Sequence, residues 1–423
     1  MITSNRFTTR LSKYQKMVVA ILLGIVTICS FSACTKEHEE DKPDSSYAPS
    51  RTILFYMVAE NSMQNQVNGD VGEILAGMKS YNFSNNDRIV IYLDDTAMPR
   101  IFVIDKNTVA TSLSELNPVY TYDEDVNSSS PSQLATMLNN MKINYPAESY
   151  GLILWSHATG WIPSSFSGDR SSESQRRAFG LDNGQNSSSK SLNGNQMEVS
   201  DIANVIESFG KLDFIFFDAC FMQSMEVAYE LRNSAKYVIG SPAEIPGPGA
   251  NYATMANAMF KADNYAEEMV SDYYRNYSSV NNSYGIVISS VNTSALSSFA
   301  TYMKALIANN KKAFLTANYE TTLNYFKYGT WGTDSPDCYD MQGIIKTVLD
   351  EEAYVQWLSE AEKVFYCKHY TSWYSSFNRM LNPIDETQCC GVSMFLPLDK
   401  YNSRSSSFNT SYLQTDWAKA VWN

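Results

Sequence analysis

Histidine is nearly absent from this chain. Three occur in 423 residues, His38, His157 and His369, so any chemistry that needs an imidazole has little choice. Other absences narrow the function. No GxGxxG follows a strand-like run, no Walker loop is present and no HExxH occurs, which leaves nucleotide-binding and zinc-protease readings without support. Positive charge is short as well: 32 Lys and Arg stand against 45 Asp and Glu, a net charge of −13, which argues against a nucleic-acid partner. The apolar run over residues 17–29 is too short for a comfortable transmembrane helix. No internal repeat is visible. What remains is globular composition, 44% hydrophobic and 18% charged, in a chain long enough to bury a large core.

The amino-terminal run sits behind Arg6, Arg10, Lys13 and Lys16 and ahead of Phe31-Ser32-Ala33-Cys34, the flanks of a signal peptide. The small residues before Cys34 resemble a bacterial lipobox, which implies cleavage ahead of Cys34 and lipidation of its sulfur. The acid-rich stretch over residues 36–42 resembles the tether of surface-exported Bacteroidetes lipoproteins. The expected organisation is therefore a signal peptide over 1–33, a polar tether over 34–50 and a folded region over 51–423, anchored to the outer membrane and facing the cell surface. Residues 1–33 carry four positive charges and no acid, so their removal takes the net charge from −13 to about −17. In an oxidising envelope Cys338, Cys367, Cys389 and Cys390 are expected to form one or two disulfides, with three pairings open for two bridges. Cys367-Lys368-His369 lacks a four-ligand zinc spacing, so no metal is expected there.

Short apolar runs at 51–59, 87–95, 150–156, 212–217, 236–241, 284–290 and 391–396 read as strands. Helical patterns fill 63–80, 130–145, 200–209, 221–231, 252–261, 264–279, 294–312, 340–350 and 353–366. A hairpin over 100–112 turns at Lys106-Asn107, and the polar stretch 160–195 has the composition of a long loop. Strands alternating with helices predict an α/β fold: an open, mainly parallel sheet covered by helices on both faces, with a mostly helical C-terminal extension. The core is expected over about 51–290 and the extension over about 291–423.

The run Leu212-Asp213-Phe214-Ile215-Phe216-Phe217 is followed at once by Asp218 and Cys220. A helix beginning at 221 would aim its N-terminus at the sulfur and favour the thiolate, the nucleophilic form. A buried core cysteine is the plainer alternative. His157 ends the strand at 150–156, and groups at the carboxyl ends of such strands gather at one edge of the sheet. His369, read at a helix end, suits capping. A thiol and an imidazole on neighbouring strand ends form the pair that acyl transfer requires, with backbone N–H groups of the adjoining turns available to an oxyanion.

Trp155-Ser156-His157 with Gly160-Trp161, and Phe217-Asp218-Ala219-Cys220 further on, resemble the clostripain family of cysteine peptidases, of the caspase-like group. Gly180-Leu181-Asp182, the run from Gly240 to Gly249 and the run from Gly391 to Pro397 add to the likeness, which extends from about Arg51 to the C-terminus. The resemblance implies a caspase-like fold and cleavage of proteins or peptides after Arg or Lys. His157 would be the imidazole, Cys220 the nucleophile and Asp218 the acid of the S1 pocket. The backbone N–H groups of Ala158 and Cys220 would form the oxyanion hole. It also implies self-cleavage in the loop between His157 and Cys220, with Lys190, Arg176, Arg177 and Arg170 as candidates. No organic cofactor is implied. Calcium is needed by some members and not others, and no dedicated acidic loop stands out here. A monomer is expected. Three departures are visible: Ala158 stands where the family has Gly, a strain if that turn needs a positive φ; the early strand ends Val58-Ala59-Glu60-Asn61-Ser62-Met63, where relatives tend to have an Ala-Asp-Asn run; and Asn251 stands where some members have an acid. The Ala158 change and the 28 tyrosines motivate a second reading, a non-catalytic surface lipoprotein that binds peptides or glycans.

Overall fold

The computed structural model describes residues 50–81, 86–162, 179–184, 194–279, 284–326, 336–375, 380–402 and 408–423. Cys34, Arg170, Arg176, Arg177 and Lys190 lie outside the described residues.

The principal sheet has nine strands. In chain order they are β1 (Arg51–Val58), β2 (Arg88–Asp94), β3 (Arg100–Ile104), β4 (Tyr120–Thr121), β5 (Ser149–Trp155), then β8 (Leu212–Asp218), β9 (Ala235–Gly240), β10 (Val287–Asn292) and β12 (Phe365–His369). Between them, β6 (Phe179–Asp182) and β7 (Asn195–Met197) form a separate ribbon, and β11 (Tyr339–Asp340) pairs with β13 (Ser393–Met394). The spatial order is β12-β10-β9-β8-β5-β1-β2-β3-β4. The central five, β9, β8, β5, β1 and β2, run parallel, and both flanks are antiparallel. The expected α/β architecture is therefore present as a mixed sheet with a parallel centre.

Alternate residues of one strand enter different cores, which is why these strands read as unbroken apolar runs. Ile53, Phe55 and Met57 of β1 join one core with Phe214 and Phe216 of β8. Leu54, Tyr56 and Val58 face the other with Ile215 and Phe217. Helices α1 (Val67–Ser80), α5 (Tyr252–Met259) and α6 (Tyr265–Ser279) cover the first face, and α2 (Pro131–Asn144) and α3 (Val199–Phe209) the second. A third core gathers the short α4 (Met225–Glu230) with α7 (Leu296–Thr316), α8 (Met341–Val348), α9 (Glu351–Ala361) and α10 (Asp416–Trp422) around Trp357, Phe395 and Trp417. At the amino ends of the central strands Asp213 holds Arg51 and Lys236, each at 2.7 Å. Burial opposes its charge, but the two cations keep its carboxyl below the usual range.

Several sequence expectations are corrected. Residues 100–112 form no hairpin of their own: β3 pairs back on β2 and forward on β4. The helix expected over 353–366 stops at Ala361, and Phe365–His369 is the edge strand of the sheet, so His369 lies on a strand opposite Val287 and not at a helix end. The five described cysteines, Cys220, Cys338, Cys367, Cys389 and Cys390, are all free thiols, so the expected bridges are absent among the described residues.

Candidate active site

Register decides where the sequence-predicted pair falls. β5 and β8 are parallel neighbours with Trp155 opposite Asp218. His157 and Cys220 each stand two residues beyond that matched pair, in the turns that leave two neighbouring strands. Both side chains are half-buried. The register thus brings an imidazole and a thiol to the same carboxyl edge of the sheet, on the ends of adjacent strands.

Each is fixed by its own loop. His157 Nε2 lies 2.8 Å from Ser62 Oγ, in the turn after β1. Its main chain is held by Gly180 N–H donating to His157 O, and Ala158 bridges to Phe179 of β6. Ala158 is not among the described residues with positive φ, so the Ala that replaces the expected Gly is unstrained. The strained position lies across the site: Phe221, directly after the thiol, has φ 63°. Phe221 stacks on Phe326 with ring centroids 4.1 Å apart, and its N–H donates to Ala243 O. Gly160 (φ +77°) closes the two loops together, because a Cβ there would stand 2.7 Å from Phe221 O.

No helix begins at residue 221. Ser224 caps a helix that starts at Met225 and runs six residues, while Gln223 is buried with its side-chain amide on Val238 O and Ser289 O. The expected helix-terminus activation of the thiol is thereby overturned. Burial, and then the negative Glu244, push the Cys220 thiol up to about 12, with the Ile245 N–H at 3.5 Å pulling the other way. Glu244 and Ile245 belong to the loop after β9, which arches over the nucleophile.

Beneath that loop lies Asp218, 1% exposed. Its Oδ2 accepts from Tyr252 OH at 2.5 Å and from Ala250 N–H at 3.2 Å, whereas Oδ1 is buried with no hydrogen bond. Gly249 (φ +63°) allows this approach, since a Cβ there would stand 2.7 Å from Oδ2. Burial raises the Asp218 carboxyl to about 6, against the two hydrogen bonds. A second acid, Asp70, receives Trp155 Nε1–H at 2.8 Å and is pushed to about 8 by burial and by Asp218. Asn251, where an acid was an alternative, instead caps α5, with Oδ1 receiving the N–H groups of Ala253 and Thr254.

A sequence profile described as the clostripain family matches residues 55–421. The chain belongs to the clostripain family. Similar solved structures of this family extend over nearly all of the described fold. A secreted C11 cysteine protease from Bacteroides thetaiotaomicron, in complex with an irreversible peptide inhibitor, shares 26% identity at a TM-score of 0.72, over 89% of this chain and 100% of that one. An inactive zymogen C11 protease from Parabacteroides distasonis shares 26% identity at a TM-score of 0.71, over 89% of this chain and 99% of that one. Clostripain from Hathewaya histolytica is 24% identical over 224 residues, which is 48% of this chain. The match spans 40% of that relative's length. The caspase-like C11 architecture is thus the fold of this clostripain-family chain.

Two parts of the site escaped the sequence reading. Ser62 carries no signal of its own, being one polar residue in a turn. Tyr252, which meets Asp218, looked like an ordinary helix start.

Proposed function

We propose that this clostripain-family chain is a cysteine endopeptidase that cleaves after Arg or Lys. The observation that carries the reading is the shared register of His157 and Cys220 beyond the Trp155–Asp218 pair. In the proposed reaction the Cys220 thiol yields its proton to His157 and the sulfur attacks the scissile carbonyl carbon. The C–N bond breaks, His157 returns the proton to the leaving amine, and a thioester remains on Cys220. Water, deprotonated by His157, then attacks the thioester, releasing the carboxylic acid and restoring the thiol. Backbone N–H groups of Ala158 and Cys220 are the proposed oxyanion donors.

The unpaired Oδ1 of Asp218 supports the Arg/Lys preference, because a buried carboxylate oxygen with no partner gains most from an incoming guanidinium or ammonium. The raised thiol pKa supports an inactive precursor: little thiolate exists near neutral pH until the site is rearranged. Self-cleavage at Lys190, Arg176, Arg177 or Arg170 is proposed as that rearrangement. Cys34 is proposed as the lipid anchor of an exported, monomeric protein at the cell surface. The unstrained Ala158 removes the main reason for a non-catalytic reading.

Fluorogenic peptides with Arg, Lys, Asp or Leu at P1 test the proposal on the wild type and on Cys220→Ala. Thiol-dependent turnover restricted to Arg and Lys is expected. Turnover on Asp or Leu alone would remove Asp218 from the S1 pocket, and no turnover after cleavage of the 163–193 segment would remove the peptidase reading.

A further inference from the structure

Asp218 is held through one of its two oxygens only. Oδ2 accepts the Tyr252 hydroxyl at 2.5 Å and the Ala250 N–H at 3.2 Å, while Oδ1 has no hydrogen bond. A carboxylate oxygen carries two lone pairs, so Oδ2 is filled and Oδ1 is open. That asymmetry discriminates between basic side chains.

The frame around the carboxylate is fixed on several sides. Asp218 is the last residue of β8. Tyr252 is wholly buried in the first turn of α5, its ring set edge-on to Phe55 of β1 with centroids 5.0 Å apart. Its N–H donates to Glu73 Oε2 of α1 at 3.1 Å. Tyr277 of α6 pins the loop over Asp218, its hydroxyl donating to Gly249 O at 2.7 Å. None of these contacts is made to Oδ1.

We propose, on the reading of Asp218 as the S1 acid, that Tyr252 is the positioning residue of the pocket and makes Lys at P1 at least as good a substrate as Arg. By filling Oδ2 it leaves Oδ1 as the single acceptor for the incoming cation. Arg owes its usual advantage over Lys to two parallel N–H···O bonds, one to each carboxylate oxygen. That fork is closed here on one side. A guanidinium meeting Oδ1 alone brings five N–H donors into a buried site, and donors left unmet are costly. An ammonium brings three, around a compact charge that one oxygen can face.

Neighbouring groups do not restore the fork. Asp70 receives Trp155 Nε1–H on its Oδ2 at 2.8 Å, and burial with Asp218 nearby raises its carboxyl to about 8, so it offers no second charge near neutral pH. Asn251, beside Tyr252, is neutral, and its Oδ1 is given to the N–H groups of Ala253 and Thr254.

The test assays the full chain, cleaved in its 163–193 segment, on fluorogenic peptides that differ only in Lys or Arg at P1. kcat/KM for Lys is expected to equal or exceed that for Arg. Tyr252→Phe opens Oδ2, and the ratio is expected to move toward Arg by about 10-fold, the worth of one charge-assisted hydrogen bond. A ratio taken within one preparation does not depend on how much of the variant folds, so a merely structural tyrosine would leave it unchanged. Arg ahead of Lys by about 10-fold or more in the wild type, or an unchanged ratio in Tyr252→Phe, would overturn the proposal. Turnover on neither substrate would instead strike the peptidase reading. The pocket is then read without chemistry, by calorimetric titration of Cys220→Ala, cleaved in the same segment by a second protease, with peptides ending in Lys or Arg. Lys binding at least as tightly as Arg is expected, and binding of neither peptide, or Arg ahead by about 10-fold, would overturn the proposal.

Discussion

Ser62 Oγ and His157 Nε2 lie 2.8 Å apart although 95 residues separate them in the chain. The contact joins the turn after β1 to the turn after β5, neighbours in the sheet. It fixes one edge of the imidazole, and when the ring is protonated both its nitrogens donate, so the hydroxyl then accepts from Nε2–H.

Removing that hydroxyl is therefore expected to act on the histidine and not on the fold. Ser62→Ala should lower kcat/KM about 2- to 10-fold, the worth of one neutral hydrogen bond. The acid limb of the pH–rate profile should move to lower pH, because the imidazolium loses an acceptor. Ser62→Thr should restore both. Melting temperature should not change, since Ser62 is exposed. A pH profile identical to the wild type would show that the contact does not position the base.

Asp218→Asn tests the pocket. The change keeps the shape and removes the charge, so Arg and Lys substrates should lose about 30-fold or more in kcat/KM, the lower end of what a buried charge partner contributes. Iodoacetamide labelling of Cys220 should stay within about twofold of the wild type, since Asp218 is the weakest of the influences on the thiol. Equal losses on every P1 residue would instead mark Asp218 as structural.

Much of this site was legible because polarity changes abruptly. Phe214 to Phe217 must be buried on both faces, so Asp218 and Cys220 directly after them had to emerge at a strand end, and Trp155-Ser156-His157 repeats the pattern. Long-range relations were not legible. Ser62 finds His157, and Glu60 finds Asp94 and Asp125, only through the order of strands, which no local pattern encodes. Phe365–His369 was mistaken for the end of a helix because it follows α9 after three residues and shows no clean alternation. Residues 221–224 were mistaken for a helix start because the helical pattern after Ser224 runs back into Phe221 and Met222, whereas Phe221 is held at a positive φ between Phe326 and the loop over the thiol.

Ala158→Gly examines the departure from the family's His-Gly pattern. Because Ala158 is buried in an ordinary conformation and bridges to Phe179, glycine offers no relief of strain. The variant is expected to lose about 0.5–1 kcal/mol of stability with turnover changed less than about twofold. A large gain in kcat, measured on Arg substrates, would show that the turn adopts another conformation during reaction.

The buried acids also dictate how stability depends on pH. Glu60 rises from 4.5 to about 8, Asp94 from 3.8 to about 9 and Asp70 from 3.8 to about 8. In each the folded protein keeps a proton that the unfolded chain releases at lower pH. Their contribution is therefore complete below the unfolded values and is lost as pH climbs through the folded ones. Unfolding free energy from urea titrations should fall steadily between about pH 5 and 9. Asp94→Asn, which leaves no proton to hold, should flatten part of that decline. Stability that rises toward pH 9 would contradict the assignment of these acids as protonated in the folded state.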